Sequence, residues 1–233
     1  MAVFGASKPP RWCTPTGCRS WPTRKPCWRR SRIAVISSAC SCPIARGSSE
    51  PWRPGFAQAG RDGVIVDASI SVAFGCPYEG RVSPQWVAEV AKALAEDNIE
   101  EISLADTIGV ANPAQVEALF QDMKERLPAV RWGAHFHDTR GTALANMLSA
   151  LETGVNLFEG SVGGIGGSPF APGAAGNLCS EDALAMLEAM GMVTGVDVNR
   201  LIEVARGLER TLGAPLPGRV HALPPPDAGS VSA

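Results

Sequence analysis

The chain has 233 residues and a formal net charge of −2, with 45% hydrophobic and 19% charged residues, a composition that describes a globular protein able to bury a core. No apolar run approaches the roughly twenty residues that would span a bilayer, which excludes a membrane protein built on spanning helices. The charge is unevenly placed: residues 1–50 hold nine lysines and arginines against one acid, Glu50, which leaves twelve basic and twenty-two acidic residues elsewhere and excludes a nucleic-acid face in that remainder.

From residue 1 to about 61 the chain is crowded with Pro, Trp, Cys, Arg and Ser, as in "KPPRWCTPTGCRSWPTRKPCWRRSR", and sustains no period of 2 or 3.6. No stable element is expected there. An organellar transit peptide suits the arginine and serine content, but the Pro and Trp density opposes an amphipathic helix. A basic tail for an acidic partner lacks a lysine-aromatic pattern. The composition favours a third reading, a start or reading-frame artefact ahead of a genuine domain. Five of the seven cysteines fall in the first fifty residues at spacings that form neither a zinc frame nor a disulfide scaffold. Cys76 and Cys179 stand alone in the rest, as expected for a reducing compartment. Cys76 reads as a small buried hydrophobe.

After residue 61 the pattern becomes regular. Residues 63–72 read as a strand, and Ser83 with Pro84 as an N-cap and first helical residue, opening a helix whose apolar face is Val87, Val90, Ala91 and Leu94. Residues 99–104 are the next strand, followed by a helix capped by Asn112 and Pro113 with a stripe of Val116, Leu119, Phe120 and Met123. Residues 130–137 form the third strand, with a helix on Leu144, Met147, Leu148 and Leu151 behind it, and residues 155–162 form the fourth. Helices over about 181–190 and 198–212 precede a tail from 214 to 233, rich in Pro, Gly and Ser, for which disorder is expected. Strands recurring about every thirty residues with helices between them mean βαβ units, a parallel sheet and the α/β class. In such sheets chemistry collects at the carboxyl ends of the strands.

The polar residues of this chain fall at those ends. His135 and His137 are two apart on a strand, so their side chains share one face and can occupy adjacent positions around a metal ion; hydrogen-bonded histidines near a strand terminus are the plain alternative. Asp106 follows the second strand of this series and precedes Thr107, as Asp138 precedes Thr139, a pairing that also serves as a helix-capping device. Residues 160–177 make a glycine-rich loop with neither the ending of a P-loop nor the spacing of a dinucleotide fingerprint. A loop of that length closes over a substrate or lets backbone amides approach an anion. Asn177 at its end offers a carbonyl oxygen to a metal, or else sits in the N-cap region of the next helix.

"AFGCPYEGRVSP", "EISLADTIGVANP", "HFHDTRGTALANMLSALETGV" and "GGIGGSPFAPGAAGNLCSED" together resemble 3-hydroxy-3-methylglutaryl-CoA lyase, of the metal-dependent lyase superfamily built on a (βα)8 barrel. The match runs from about Ser71 to Val204. It favours the lyase branch over the related condensing synthases, which typically carry Asn-Asp where this chain has Asp138 and Thr139. The resemblance implies that His135, His137 and Asn177 ligate Mg²⁺ or Mn²⁺, that Asp106 is an active-site aspartate beside the metal with an acid-base or positioning role, and that the substrate is an acyl-CoA cleaved to acetyl-CoA and acetoacetate. It also implies a bacterial cytoplasmic setting first and a mitochondrial one second.

The chain departs from the pattern in two places. The family's glycine loop carries a cysteine credited with acid-base work, and Ser168 stands there, a far poorer acid at neutral pH. The Arg-Asp pair of the family's first strand has no equivalent. "MAVFGAS" at the start faintly resembles the fourth strand, so the expectation is a partial barrel, strands four or five to eight, with domains 1–61, 62–213 and 214–233 and impaired cleavage. A half barrel exposes two sheet edges and an apolar interior and is expected to aggregate, to pair as a homodimer or to remain only partly folded. A lyase for another 3-hydroxyacyl-CoA and a non-catalytic metal-binding or assembly module are the alternatives.

Overall fold

The computed structural model describes residues 2–5, 32–38, 65–167 and 176–224. Six strands, β1 (Ala2–Gly5), β2 (Arg32–Ser38), β3 (Ile65–Ser71), β4 (Glu101–Asp106), β5 (Arg131–Phe136) and β6 (Leu157–Gly160), form one sheet in the order β1-β6-β5-β4-β3-β2. Strands β2 to β6 are mutually parallel, and β1 lies antiparallel against β6. Helices α1 (Pro84–Glu96), α2 (Pro113–Arg126) and α3 (Ala143–Glu152) alternate with the strands, and α4 (Ser180–Ala189) and α5 (Val198–Leu212) follow them. This is the α/β architecture of a partial (βα)8 barrel. Among the described residues no helix is long and apolar enough to cross a membrane.

The helices begin where their caps dictate. The Ser83 hydroxyl accepts from the Gln85 N–H at 3.2 Å and the Asn112 carboxamide oxygen from the Gln115 N–H at 3.0 Å, and Pro84 and Pro113 occupy first positions that need no amide proton. Asp197 caps α5 in the same way, and Gly213 ends it in the left-handed region at φ 66°.

Strand register divides the sheet into two chemically different faces. Ile102 is level with Trp132, Leu104 with Ala134 and Ala134 with Phe158, and directly opposed residues share a face. These side chains and Ile70, Phe136 and Phe120 are buried in one core with the apolar stripes of the helices. The intervening positions, Ser103, Gly133, His135 and Glu159, form the opposite face, which in a barrel is the interior.

Three expectations are corrected. Residues 2–5 and 32–38 of the irregular amino-terminal region are strands: seven residues with Ile33, Val35 and Ile36 among them pair along the whole of β3, so backbone hydrogen bonding and β-branched content prevail over the basic surroundings. "MAVFGAS" does not supply the strand before β3. That place belongs to β2, and β1 instead covers the far edge beside β6. Residues 214–224 form a largely exposed strap anchored by Gly218 and His221, which are buried, the latter in a 3₁₀ turn at Val220–Ala222. Residues 225–233 lie outside the described residues.

Phe136 is fully buried, with its ring centroid 5.9 Å from that of Phe74. Phe136→Ala is expected to cost about 3–5 kcal/mol of stability, measured by urea denaturation.

Candidate active site

His135 is on the interior face of β5, and its Nδ1 lies 3.2 Å from the Glu159 Oε2 on β6. His137 stands one residue beyond the strand, 4% exposed, and its backbone is fixed by an antiparallel bridge to Asn177. The two rings are side by side, with centroids 5.2 Å apart and planes inclined by 57°. The end of the glycine-rich loop is fastened to the same segment, because Leu178 N–H donates to the Phe136 carbonyl at 2.8 Å and Asp138 N–H to that of Gly176 at 2.9 Å. A Cβ on Gly166, at φ +112°, would meet the Asn177 Nδ2 at 2.7 Å, so only glycine lets the loop close on that carboxamide. Cys179 is the N-cap of α4, so Asn177 stands two residues before the cap, with its backbone bridged to His137. Ser168 lies outside the described residues.

Asp106 is the last residue of β4 and fully buried. The register sets it level with Phe136, on the helix-facing side and therefore opposite to His135. Both its oxygens are taken: Oδ1 accepts from Val110 N–H and Oδ2 from Ala111 N–H, each at 2.9 Å. It shapes the loop between β4 and α2. Burial raises its carboxyl above the ordinary value, against the opposing pull of the Ala111 and Val110 amides and the Arg140 charge. Neighbouring loops are tied to it. Thr107 Oγ1 accepts from the N–H of Val72, a β-branched residue held at φ 53°, and Arg140 donates to the Gly109 carbonyl at 2.7 Å. Asp138 accepts from the first amide of α3, Ala143 N–H, at 2.9 Å.

Several residues of the site carry no signal of spacing or motif. Glu159 and Ser103 join His135 on the interior face. Glu181, fully buried, accepts from the Gly163 N–H with both oxygens, which fixes the start of the glycine loop. Asp182 accepts from the N–H groups of Arg219 and Val220, and Gly218 N–H donates to the Gly163 carbonyl, so the carboxyl-terminal strap is clamped on that loop. The His221 ring nitrogens lie 3.3 Å from Glu181 and 3.7 Å from Glu209. The exposed Arg219 guanidinium reaches Asp138 at 3.5 Å. Burial, foremost, pushes the Cys179 thiol up, which makes it unreactive; Cys76 is buried, as expected of a small hydrophobe.

The HMGL-like family model matches residues 60–207. The chain belongs to the HMGL-like family. It is 50% identical over 152 residues to the hydroxymethylglutaryl-CoA lyase YngG of Bacillus subtilis, a match covering 65% of this chain and 51% of that one. It is 43% identical over 165 residues to the (R)-citramalyl-CoA lyase of Chloroflexus aurantiacus, covering 71% and 52%. The crystal structure of the Bacillus subtilis HMG-CoA lyase superposes with a TM-score of 0.77 at 42% identity, over 81% of this chain and 66% of that one. The chain thus spans about half the length of the curated relatives it matches. The family includes carbon-carbon lyases and is divalent-metal-dependent. The donor types fit such an ion: two adjacent imidazoles offer nitrogen and the Asn177 carboxamide offers oxygen, whereas among the described residues no cluster of three or more His, Cys, Asp or Glu does so.

The raised Asp106 carboxyl fixes the sign of a pH effect. Its contribution to stability is fully present below the unfolded value near 3.8 and is lost as pH rises through the higher folded value. Urea denaturation at a series of pH values is expected to show wild type losing stability relative to Asp106→Asn as pH rises from 4, above a pH-independent cost of about 1–3 kcal/mol to the variant for the amide left unpaired. Asp182→Ala removes the acceptor for two strap amides. Hydrogen exchange is expected to accelerate over residues 216–223 while β4 and β5 keep their protection.

Proposed function

We propose that this chain carries the metal-binding side of a lyase that cleaves 3-hydroxy-3-methylglutaryl-CoA to acetyl-CoA and acetoacetate, with His135, His137 and Asn177 as ligands to Mg²⁺ or Mn²⁺. The observation that carries the reading is the pairing of His137 with Asn177, which joins residues forty apart in sequence beside a second imidazole at a strand's carboxyl end. A bound divalent ion supplies Lewis acidity and a template for the substrate's hydroxyl and carboxylate oxygens.

The chain's own residues supply orientation. Asn177 and Gly166 set the glycine loop against the histidines, Glu181 and Asp182 anchor its two flanks, and Asp106 and Asp138 hold the adjoining loops through backbone amides. Cleavage removes the proton of the tertiary hydroxyl, breaks the neighbouring carbon-carbon bond, leaves the ketone of acetoacetate and passes the bonding pair to the acetyl-CoA enolate, which then takes up a proton. Ser168, in the loop position where the resemblance expects a thiol, makes that protonation slow, since a serine hydroxyl is a poor acid near neutrality. A cytoplasmic setting accords with the isolated cysteines of the folded region.

The likeness to the (R)-citramalyl-CoA lyase favours a second reading, in which the same site cleaves another 3-hydroxyacyl-CoA. A Mn²⁺ titration of the full chain followed by EPR is expected to saturate near one ion per chain, and binding is expected to vanish in His137→Ala; binding that survives that substitution would sink the ligand assignment. Assayed on both CoA esters, Ser168→Cys is expected to raise cleavage of hydroxymethylglutaryl-CoA at least tenfold. A gain confined to the citramalyl ester would favour the second reading.

A further inference from the structure

We propose that Glu159 is a positioning residue: held by Ser103 across a gap that Gly133 leaves open, it fixes His135 as the Nδ1–H tautomer and so presents the Nε2 lone pair to a divalent cation. The inference deepens the proposed function and rests on its metal reading.

Three neighbouring strands build the device. On β4, Ser103 is level with Gly133 of β5, which is level with Leu157 of β6, and two residues on His135 is level with Glu159. All five positions share the interior face. Strands β4 and β6 are not adjacent; their backbones are about 10 Å apart, two strand spacings. The Ser103 hydroxyl nevertheless donates to the Glu159 Oε1 at 2.8 Å. The bond passes over β5 where there is no side chain to block it, since a Cβ on Gly133 would meet the Ser103 Oγ at 2.5 Å and the Leu157 Cδ2 at 2.9 Å. Gly133 has an ordinary strand conformation, so it is required for this approach rather than for backbone freedom.

The chemistry follows from the donor inventory. A carboxylate only accepts hydrogen bonds, and a neutral imidazole has one donor and one acceptor nitrogen. With Oε1 taken by the Ser103 hydroxyl and Oε2 at 3.2 Å from His135 Nδ1, a neutral ring satisfies the carboxylate only with its proton on Nδ1 and its lone pair on Nε2. Ser103 is 3% exposed, and the side chains of His135 and Glu159 are 13% and 14% exposed, so water competes little for these bonds. A carboxylate behind a ligating imidazole fixes its orientation and raises its basicity. Reach matters as much as charge: an aspartate at 159 keeps the charge but is one methylene too short to meet partners on two other strands.

The tautomer is read directly from long-range proton–nitrogen spectra of the ¹⁵N-labelled, metal-free full chain, with the His135 signals assigned by their loss in His135→Gln. The expected result is the Nδ1–H form in wild type, and a shift toward Nε2–H in Glu159→Gln, which keeps the shape but can offer an N–H to the ring. Mn²⁺ binding is expected to weaken about 10–100-fold in Glu159→Gln and Glu159→Asp, and to weaken in the same direction in Gly133→Ala, which closes the gap without touching a ligand. Circular dichroism is expected to show both Glu159 variants folded. An Nε2–H tautomer in wild type overturns the inference, and so does Mn²⁺ binding in Glu159→Gln at wild-type strength with the tautomer unmoved. Absence of Mn²⁺ binding in wild type with the Nδ1–H form in place overturns the metal reading alone.

Discussion

Everything in this molecule depends on the phase of the parallel strands β3 to β6. Because side chains alternate and directly opposed residues share a face, a register common to all four strands sends Ile70, Ile102, Leu104, Ala134, Phe136 and Phe158 to one side and Ser103, Gly133, His135 and Glu159 to the other. A slip of one residue in β5 would bury His135 among the helices and turn Phe136 to the interior. The hydrophobic free energy that seats the helices on the sheet therefore also aligns the polar face. Stability and site geometry are one constraint.

The loops at the carboxyl ends are held by a repeated device, a buried or half-buried carboxylate that accepts backbone amides. Asp106 does this for the loop into α2, Asp138 for the start of α3, Glu181 for Gly163 and Asp182 for the strap at 219–220. Such charge-assisted bonds are stronger than neutral ones, and they replace the hydration these acids lose. The acidic excess of the folded region is in this sense structural as well as superficial. It gives irregular segments the fixed geometry that a ligand set needs before any ion arrives.

Membership of the HMGL-like family and the partial barrel agree with each other, since the strands present here superpose on those of a lyase crystal structure at a TM-score of 0.77. Strands β1 and β2 form the two edges of the sheet, one antiparallel and one parallel to its neighbour. The site draws on β4, β5, β6 and the loop that returns to His137, so its members are brought together from 24 to 56 residues apart in sequence.

The helices, the four regular strands and the face shared by His135 and His137 were determined by the sequence itself, because apolar periodicity, proline and the Ser83 and Asn112 caps are local signals read without knowing the fold. Strands β1 and β2 were not legible, since their short apolar runs are surrounded by Pro, Trp and Arg and acquire meaning only when a neighbouring edge supplies hydrogen-bond partners. The strap at 214–224 is hidden in the sequence for a related reason: its amides are held by the Gly163 carbonyl and the Asp182 carboxylate, acceptors that sequence does not display. Asp106 stands at a motif position, but only the register reveals that it faces the helices and is saturated by backbone amides. Tertiary structure alone decided the Ser103–Glu159–His135 chain, because its three members come from three strands and meet over a glycine whose significance is the absence of a side chain.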